Sequence, residues 1–208
     1  MDNIDSIIYI NLKHRTDRNS HILEEIKKIC TDESKIHRID ALYIIDNGAL
    51  GCSTSHISAL EYILEHPEFN NCLILEDDFT FISDNIDENN STISHFFKDF
   101  PNFDCCNLAF NDQCLKYTDT HIDNIKRIFF SLSSSAYIIS TKFVPKLLEN
   151  LKVSVNDKID NGNYNRNNLD VHWSNLMKIS NWYITKPRLG YQYDNYSDIE
   201  KHDVVYGC

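Results

Sequence analysis

The chain has 208 residues and a formal net charge of −11 at pH 7. Its length suits one domain with its own core and is too short for two independent ones, so residues 1–208 are treated as a single unit. A binder of the phosphate backbone of DNA or RNA needs a stripe of basic residues. The acidic sequence has none, which excludes nucleic acid as the main partner.

Cysteine content and hydropathy indicate where such a chain would work. Seven cysteines make an odd number, and they lack the paired spacing of a cysteine-rich metal site. The N-terminus has no basic segment followed by an apolar stretch, and no run is long and apolar enough to span a bilayer. The sequence therefore predicts a cytoplasmic protein without a transmembrane segment.

The first predicted element is a strand over residues 7–10, whose continuous apolar run is typical of a strand buried on both faces. A helix follows, with Thr16 or Asp17 as its predicted cap. Arg15 and Arg18 lie at the turn between the two, where guanidinium groups are suited to bind a diphosphate. Taken alone, two basic residues are more consistent with an ordinary solvated helix start.

A second short strand is predicted over residues 38–42, followed by a polar loop that contains glycine. Ser53 or Ser55 is the predicted cap of the next helix, which places His56 in its first turn. His56 is a candidate hydrogen-bond donor to a nucleotide or sugar, although a single histidine on a helix is more often structural.

The third predicted strand, residues 72–75, is fully apolar and leads directly into Glu76, Asp77 and Asp78. In open α/β sheets ligands bind at the carboxyl ends of the strands, where these acids fall. Carboxylates suit Mg²⁺ or Mn²⁺, which combine one or two protein carboxylates with substrate phosphate oxygens. Alternatively, the three acids only make the strand end soluble. The buried strand that precedes them favours the metal site.

The later predicted elements are strands and helices around residues 103–110, 128–130, 137–139, 144–151, 169–179 and 182–185. An Asn-, Asp- and Gly-rich stretch, residues 156–168, is predicted to be a loop. Asp170, at the start of the last helix, is a candidate general base and equally a candidate helix cap. Strands that alternate with helices predict an α/β domain with a mainly parallel central sheet flanked by helices.

In this order the segments resemble glycosyltransferase family 25, which includes bacterial lipopolysaccharide galactosyltransferases and is related to collagen galactosyltransferases. The motifs that carry the resemblance are Asn11-Leu12 with Arg15 and Arg18, Asp40-Ala41, Gly51-Cys52 with Ser55-His56, Glu76-Asp77-Asp78, the strand over 136–140, Leu169-Asp170 and the closing segment 187–199. They span nearly the whole chain. The abundance of Ile, Asn, Lys and Asp is typical of AT-rich genomes such as those of large DNA viruses.

The resemblance implies a GT-A type nucleotide-diphospho-sugar transferase fold in a single glycosyltransferase domain. It also implies a metal-dependent, inverting transfer of galactose or glucose from a UDP-sugar. The acceptor would be a hydroxyl of a glycan or of a glycosylated or hydroxylated protein.

On this hypothesis Asp78, with Glu76 and His202, holds Mn²⁺ or Mg²⁺ against the diphosphate, and Asp170 deprotonates the acceptor hydroxyl. The residues expected to bind the donor are Asn11, Leu12, Arg15, Arg18, Asp40, Ala41, His56 and Asp77. Two other classes stay open. One is a metal-dependent nucleotidyltransferase or phosphoesterase, against which the lack of a glycine-rich phosphate loop counts. The other is a non-catalytic module that binds nucleotide sugars.

Overall fold

The computed structural model describes residues 3–161 and 168–205. The helices are α1 (Thr16–Lys27), α2 (Gly48–Leu64), α3 (Ile86–Asp99), α4 (Val144–Asn161) and α5 (Leu169–Met177). The strands are β1 (Ser6–Asn11), β2 (Ile36–Asp40), β3 (Asn71–Glu76), β4 (Phe79–Phe81), β5 (Cys105–Asn107), β6 (Lys116–Asp119), β7 (Ile125–Phe130), β8 (Ala136–Ser140), β9 (Trp182–Thr185), β10 (Gly190–Gln192), β11 (Asn195–Ser197) and β12 (His202–Val204). None of the described helices combines the length and the apolar character that a membrane crossing requires.

Eight strands form one sheet in the order β2-β1-β3-β8-β5-β9-β7-β6. β1 is parallel to β2 and β3, and β5 is parallel to β9, whereas β8 and β7 are antiparallel to both of their neighbours. Six of the eight strands therefore run in one direction, which confirms the mainly parallel sheet predicted from the sequence. β4 pairs with β10 and β11 with β12 in two small antiparallel sheets.

Apolar side chains cover both faces of the large sheet, which explains the unbroken apolar runs of its strands. In β1, Ile8 belongs to a core cluster with residues of α2, α4 and α5, while Ile7 belongs to a second cluster with residues of α1 and α3. Successive side chains of a strand point to opposite faces. A strand between two helical layers must therefore be apolar at every position.

The register of the parallel strands brings their polar ends together. β1 ends at Asn11, β2 at Asp40 and β3 at Glu76, and the pairing sets Asn11 against Asp40 and Ile10 against Glu76. After β3 the chain turns at residues 77–78 into β4, which pairs with β10. Gly190 permits this pairing, because a Cβ there would lie 2.2 Å from the ring of Phe79.

Two predicted helix starts and one predicted loop need correction. α2 begins at Gly48, because the side chain of Asn47 accepts a hydrogen bond from the amide of Leu50 and supplies the cap. The predicted caps Ser53 and Ser55 therefore lie inside the helix, and His56 lies in its middle rather than in its first turn. No side chain caps α1, so neither Thr16 nor Asp17 does so.

The loop predicted over residues 156–168 begins inside α4, which continues to Asn161. Residues 162–167 lie outside the described part of the chain.

Candidate functional site

Arg18 joins the basic turn after β1 to the acids after β3. Its Nη1 atom lies 3.0 Å from Asp77 Oδ1 and 3.0 Å from Asp78 Oδ2, and its Nη2 atom donates to the carbonyl of Tyr196 (2.8 Å). Both carboxylates and the guanidinium are buried. Because α1 starts at the carboxyl end of β1, its first turn reaches the neighbouring strand end, and the structure brings the two predicted groups together.

Amide side chains complete the surroundings of the two aspartates. Asn11 Nδ2 donates to Asp77 Oδ2 (2.7 Å), and Gln192 Nε2 donates to Asp78 Oδ1 (3.3 Å). Gln192 comes from β10, where Gly190 sets its approach to the turn. The orientation of both carboxylates is therefore fixed by residues from β1, α1 and β10.

The carboxyl groups of this region outnumber its positively charged groups. Burial raises the pKa of Asp78 to about 7, the charge of Glu76 adds to the effect, and Arg18 opposes it. Burial also raises the pKa of Asp77 against the attraction of Arg18. Burial acts to lower the pKa of Arg18, but the charges of Asp78 and Asp77 outweigh it and the pKa is raised. One guanidinium faces three carboxyl groups, which favours the binding of a further cation.

Glu76 has a different set of partners. Its Oε1 atom accepts a hydrogen bond from Ser134 Oγ (2.5 Å) and lies 3.1 Å from His56 Nε2. The other ring nitrogen of His56, Nδ1, lies 3.0 Å from the hydroxyl of Tyr137, and both of these residues are fully buried. Burial acts to raise the pKa of Glu76, but the interactions with His56 and Ser134 outweigh it, so the pKa is lowered.

Asp170 lies at the start of α5, where its Oδ2 atom accepts a hydrogen bond from the amide of Ser133 (3.0 Å). Ser133 has φ = 88°, in the left-handed region, and this backbone conformation belongs to the turn between β7 and β8. The Oδ1 atom accepts from the amide of Val171 (2.9 Å), in the first turn of its own helix. Burial raises the pKa of Asp170, and these backbone hydrogen bonds oppose the rise.

Two cavities meet at Glu76. The first, which we call the Arg18 cavity, is open to solvent and spans about 680 Å³ when the adjoining solvent space is included. Of the predicted residues it is lined by Leu12, Arg18, Ala41, His56, Glu76, Asp77 and Asp78. The second, the Asp170 cavity, spans about 790 Å³ with the adjoining solvent space included, and it is lined by Asp170, Ser133, Ser134, Asn168 and Asn111 among others. Glu76, Cys52 and Gln192 line both.

The remaining predicted residues lie outside these linings. Asn11 lies behind Asp77, and Asp40 is exposed and pairs with Arg38 (3.1 Å). Arg15 binds Asp17 (2.9 Å) and Asp198 (2.6 Å), so the guanidinium lowers the pKa of Asp17 to about 2.

His202 is exposed on β12, where its Nδ1 atom donates to the carbonyl of Asp203 (2.8 Å). None of the contacts found among the described residues joins His202 to Glu76 or Asp78.

Gln192 and Cys52 are among the residues that line the site without having been predicted as site residues. Gln192 is distant in sequence from the acids, and its only signal was the resemblance of the closing segment. Cys52 lies four residues before His56 on α2, a spacing that places both side chains on one helix face and is visible in the sequence.

The acids fit a hard divalent cation that takes only some of its ligands from the protein. Glu76 and Asp78 both line the Arg18 cavity and offer oxygen ligands, and the raised pKa of Asp78 marks a carboxylate that lacks compensating charge. Arg18 Nη1 binds one oxygen of Asp77 and one of Asp78, so the acids are not a preformed cage. This suits Mg²⁺ or Mn²⁺, which take few protein ligands and complete their shell with substrate and water oxygens.

No protein-family model matches the chain, and no curated protein matches it either. Similar solved structures include UDP-glucose pyrophosphorylase complexed with UDP-glucose, 8% identical, with a TM-score of 0.55 over 88% of this chain and 90% of that chain. A197 from STIV is 12% identical, with a TM-score of 0.52 over 97% and 94%. A glycosyltransferase involved in the glycosylation of the major capsid of PBCV-1 is 11% identical, with a TM-score of 0.48 over 74% and 67%.

At such low sequence identity, similarity to these solved structures is evidence for the fold alone. The first two structures share the α/β architecture with its large, mainly parallel sheet. The chain thus has the predicted GT-A-like nucleotide-sugar transferase fold.

Proposed function

We propose that the protein, acting as one domain over residues 1–208, transfers a hexose with inversion from a UDP-sugar to a hydroxyl of a glycan or of a glycosylated or hydroxylated protein. One observation carries the proposal. Two cavities share Glu76 as a wall, and among the residues that the structure describes a guanidinium lines the Arg18 cavity but not the other. A reaction between a charged donor and a neutral acceptor needs two such compartments with the transferred group between them.

The Arg18 cavity suits the donor. Leu12, Ala41 and Tyr43 give it an apolar wall for a nucleobase, and Arg18 supplies positive charge for a diphosphate. Asp77, oriented by Asn11 and Arg18, would accept hydrogen bonds from the hydroxyls of the ribose or donor sugar. The residues thus offer a separate partner for each part of a UDP-sugar.

Asp78 and Glu76 would hold Mn²⁺ or Mg²⁺ at the side of the Arg18 cavity next to the shared wall. When bound, such an ion supplies positive charge that stabilises the departing diphosphate. Arg18 would share this task by direct hydrogen bonds to phosphate oxygens. The exposed His202 is not required by this arrangement.

The Asp170 cavity suits the acceptor. Its described lining has neutral polar groups from Asn111, Ser133 and Ser134, which hydrogen-bond to hydroxyls, and Asp170, whose raised pKa suits a general base. Asp170 would take the proton of the attacking hydroxyl as its oxygen bonds to the anomeric carbon. For an inverting transfer the hydroxyl would attack from this cavity on the side opposite the diphosphate.

The test is a panel of UDP-sugars, including UDP-glucose and UDP-galactose, incubated with and without Mn²⁺ and scored for products. We expect release of UDP that depends on the metal and on one donor sugar. Release of pyrophosphate or phosphate instead would identify a nucleotidyltransferase or phosphoesterase. A binding module would bind UDP-sugars without any turnover, whether Mn²⁺ or Mg²⁺ is present and with a range of acceptors.

A further inference from the structure

A group of mixed ligand atoms lies at the wall between the two cavities. Cys52 Sγ, an imidazole nitrogen of His56 and a carboxylate oxygen of Glu76 all lie within 4.8 Å of one another. In the part of the chain that the structure describes, no other three Cys, His, Asp or Glu side chains bring their ligand atoms so close. A thiol, an imidazole and a carboxylate are a different donor set from the oxygen ligands at Asp78.

The local structure explains why the three meet. Cys52 and His56 are separated by four residues on α2, so their side chains lie one above the other on the same face of the helix. Helix α2 packs on β1 and β2, the two strands at one edge of the sheet. Glu76 is the last residue of β3, the next strand of that sheet. Two ligands from one helix and a third from a strand end form a rigid scaffold.

Two of these ligands are held by a second layer of hydrogen bonds. Tyr137 lies 3.0 Å from His56 Nδ1, and Ser134 Oγ donates to Glu76 Oε1. Nε2 contacts Glu76 Oε1 at 3.1 Å. Binding of a cation would place the ring proton on Nδ1, donated to the oxygen of Tyr137, and would leave the lone pair of Nε2 for the ion. Metal-binding histidines are usually fixed in this way through their second nitrogen.

The position is also reachable from solvent. Cys52 and Glu76 line both cavities, and His56 lines the Arg18 cavity, so an ion that enters the Arg18 cavity meets all three side chains. A three-ligand site that faces a cavity keeps a coordination position for water, as catalytic rather than structural zinc sites do.

We propose that Cys52, His56 and Glu76 bind a zinc-class divalent cation, in a site chemically distinct from the Mn²⁺ or Mg²⁺ site at Asp78. Thiolate and imidazole ligands favour Zn²⁺ or Co²⁺ over the hard cations that carboxylates select. On binding, the thiol of Cys52 loses its proton to solvent, and water fills the fourth position. Since Glu76 belongs to both sites, Zn²⁺ competes with Mn²⁺ for it, a consequence that rests on the proposed function.

The probe is Co²⁺ added to the metal-free protein in a phosphine reductant. We expect a sulfur-to-cobalt charge-transfer band and the visible bands of four-coordinate cobalt, both abolished by Zn²⁺. Cys52→Ser should lose the charge-transfer band. Cys114→Ser is the matched control, because Cys114 is the other part-exposed cysteine in the described residues and is not a member of this trio. Tyr137→Phe should weaken Co²⁺ binding about 10–100-fold, as loss of a second-layer hydrogen bond does.

A wild-type protein without the charge-transfer band would overturn the proposal, and so would an unchanged band in Cys52→Ser. Circular dichroism of that variant checks that it is folded. The assay contains no nucleotide sugar, and Asp78→Asn should keep the cobalt band. Loss of transfer and loss of cobalt binding are therefore separate results.

Discussion

The Arg18 cavity and the Asp170 cavity share a wall at Glu76 but differ in the polar groups of their described linings, since a guanidinium lines the first. The described lining of the first contains one guanidinium, that of Arg18, and four carboxyl groups, three of which (Glu76, Asp77 and Asp78) interact closely with it. The lining of the second contains carboxyl groups, hydroxyls and amides, and no arginine or lysine among its described residues. A diphosphate and the cation that accompanies it suit the first, and uncharged hydroxyls suit the second.

The comparison also shows that three consecutive acids need not behave alike. The pKa of Glu76 is lowered because His56 and Ser134 outweigh the cost of burial, whereas burial and the charge of Glu76 raise the pKa of Asp78 to about 7. The difference arises from the partners that each side chain meets on its own side of the strand end. The protein partners of Glu76 outweigh the effect of burial on its pKa, whereas those of Asp78, including Arg18, do not.

The largest expected effect tests the Arg18 cavity. Asp78→Asn should lower the rate of UDP release from a UDP-sugar about 10³-fold, because the departing diphosphate loses its cation. Asp123→Asn, an exposed acid in the loop between β6 and β7, is the control and should retain full activity. Full activity of Asp78→Asn at saturating Mn²⁺ would refute the assignment of the metal to this cavity.

A change at Asp170 tests whether the two cavities bind donor and acceptor separately. Asp170→Asn should lower kcat about 10²-fold, since the acceptor hydroxyl then has no base. Calorimetry should find the affinity for UDP unchanged, because Asp170 does not line the Arg18 cavity. If UDP affinity falls together with kcat, the two cavities are not the separate donor and acceptor compartments that we propose.

Strand ends were predictable from the sequence because burial on both faces leaves a clear signal. The apolar runs of β1 and β3 predicted central strands, and the polar residues that follow them lie at one sheet edge as expected. Helix starts were less predictable. Asn47 rather than Ser53 or Ser55 caps α2, because several adjacent polar residues are each able to cap and only the tertiary structure selects one.

The division of the site into two cavities was not predictable, since it depends on contacts between residues that are distant in sequence. Gln192 reaches Asp78 across 114 positions, and Tyr137 meets His56 across 81. Local patterns carry no information on such pairs. The placement of His202 on an exposed strand depends in the same way on the pairing of β11 with β12.

A third prediction concerns the two arginines at the start of α1. Arg18→Met should lower the free energy of unfolding by about 3 kcal/mol near neutral pH, because it leaves buried carboxylates without their cation. Arg15→Met is the matched control and should cost less, because one of its two carboxylate partners, Asp17, is 60% exposed and water can replace the guanidinium there. Urea denaturation measures both. Equal losses would mean that Arg18 is not the cation that holds the acids.

The smallest effect is a change in the pH dependence of stability, and its sign follows from the raised pKa of Asp78. The carboxyl titrates near 3.8 in its ordinary state and near 7 in the folded protein. Between these values the folded state binds more protons than the unfolded state, so the contribution of Asp78 is fully present at low pH and is lost as the pH rises to about 7. Asparagine does not titrate.

The stability of Asp78→Asn relative to wild type should therefore increase by roughly 2 kcal/mol between about pH 5 and about pH 8, measured by urea denaturation with a chelator present. Asp123→Asn should follow the wild-type curve at every pH, since that side chain is exposed. A constant difference between wild type and Asp78→Asn would show that Arg18 already satisfies Asp78. The Arg18 cavity would then have no unmet negative charge, and its contrast with the Asp170 cavity would no longer favour a bound cation.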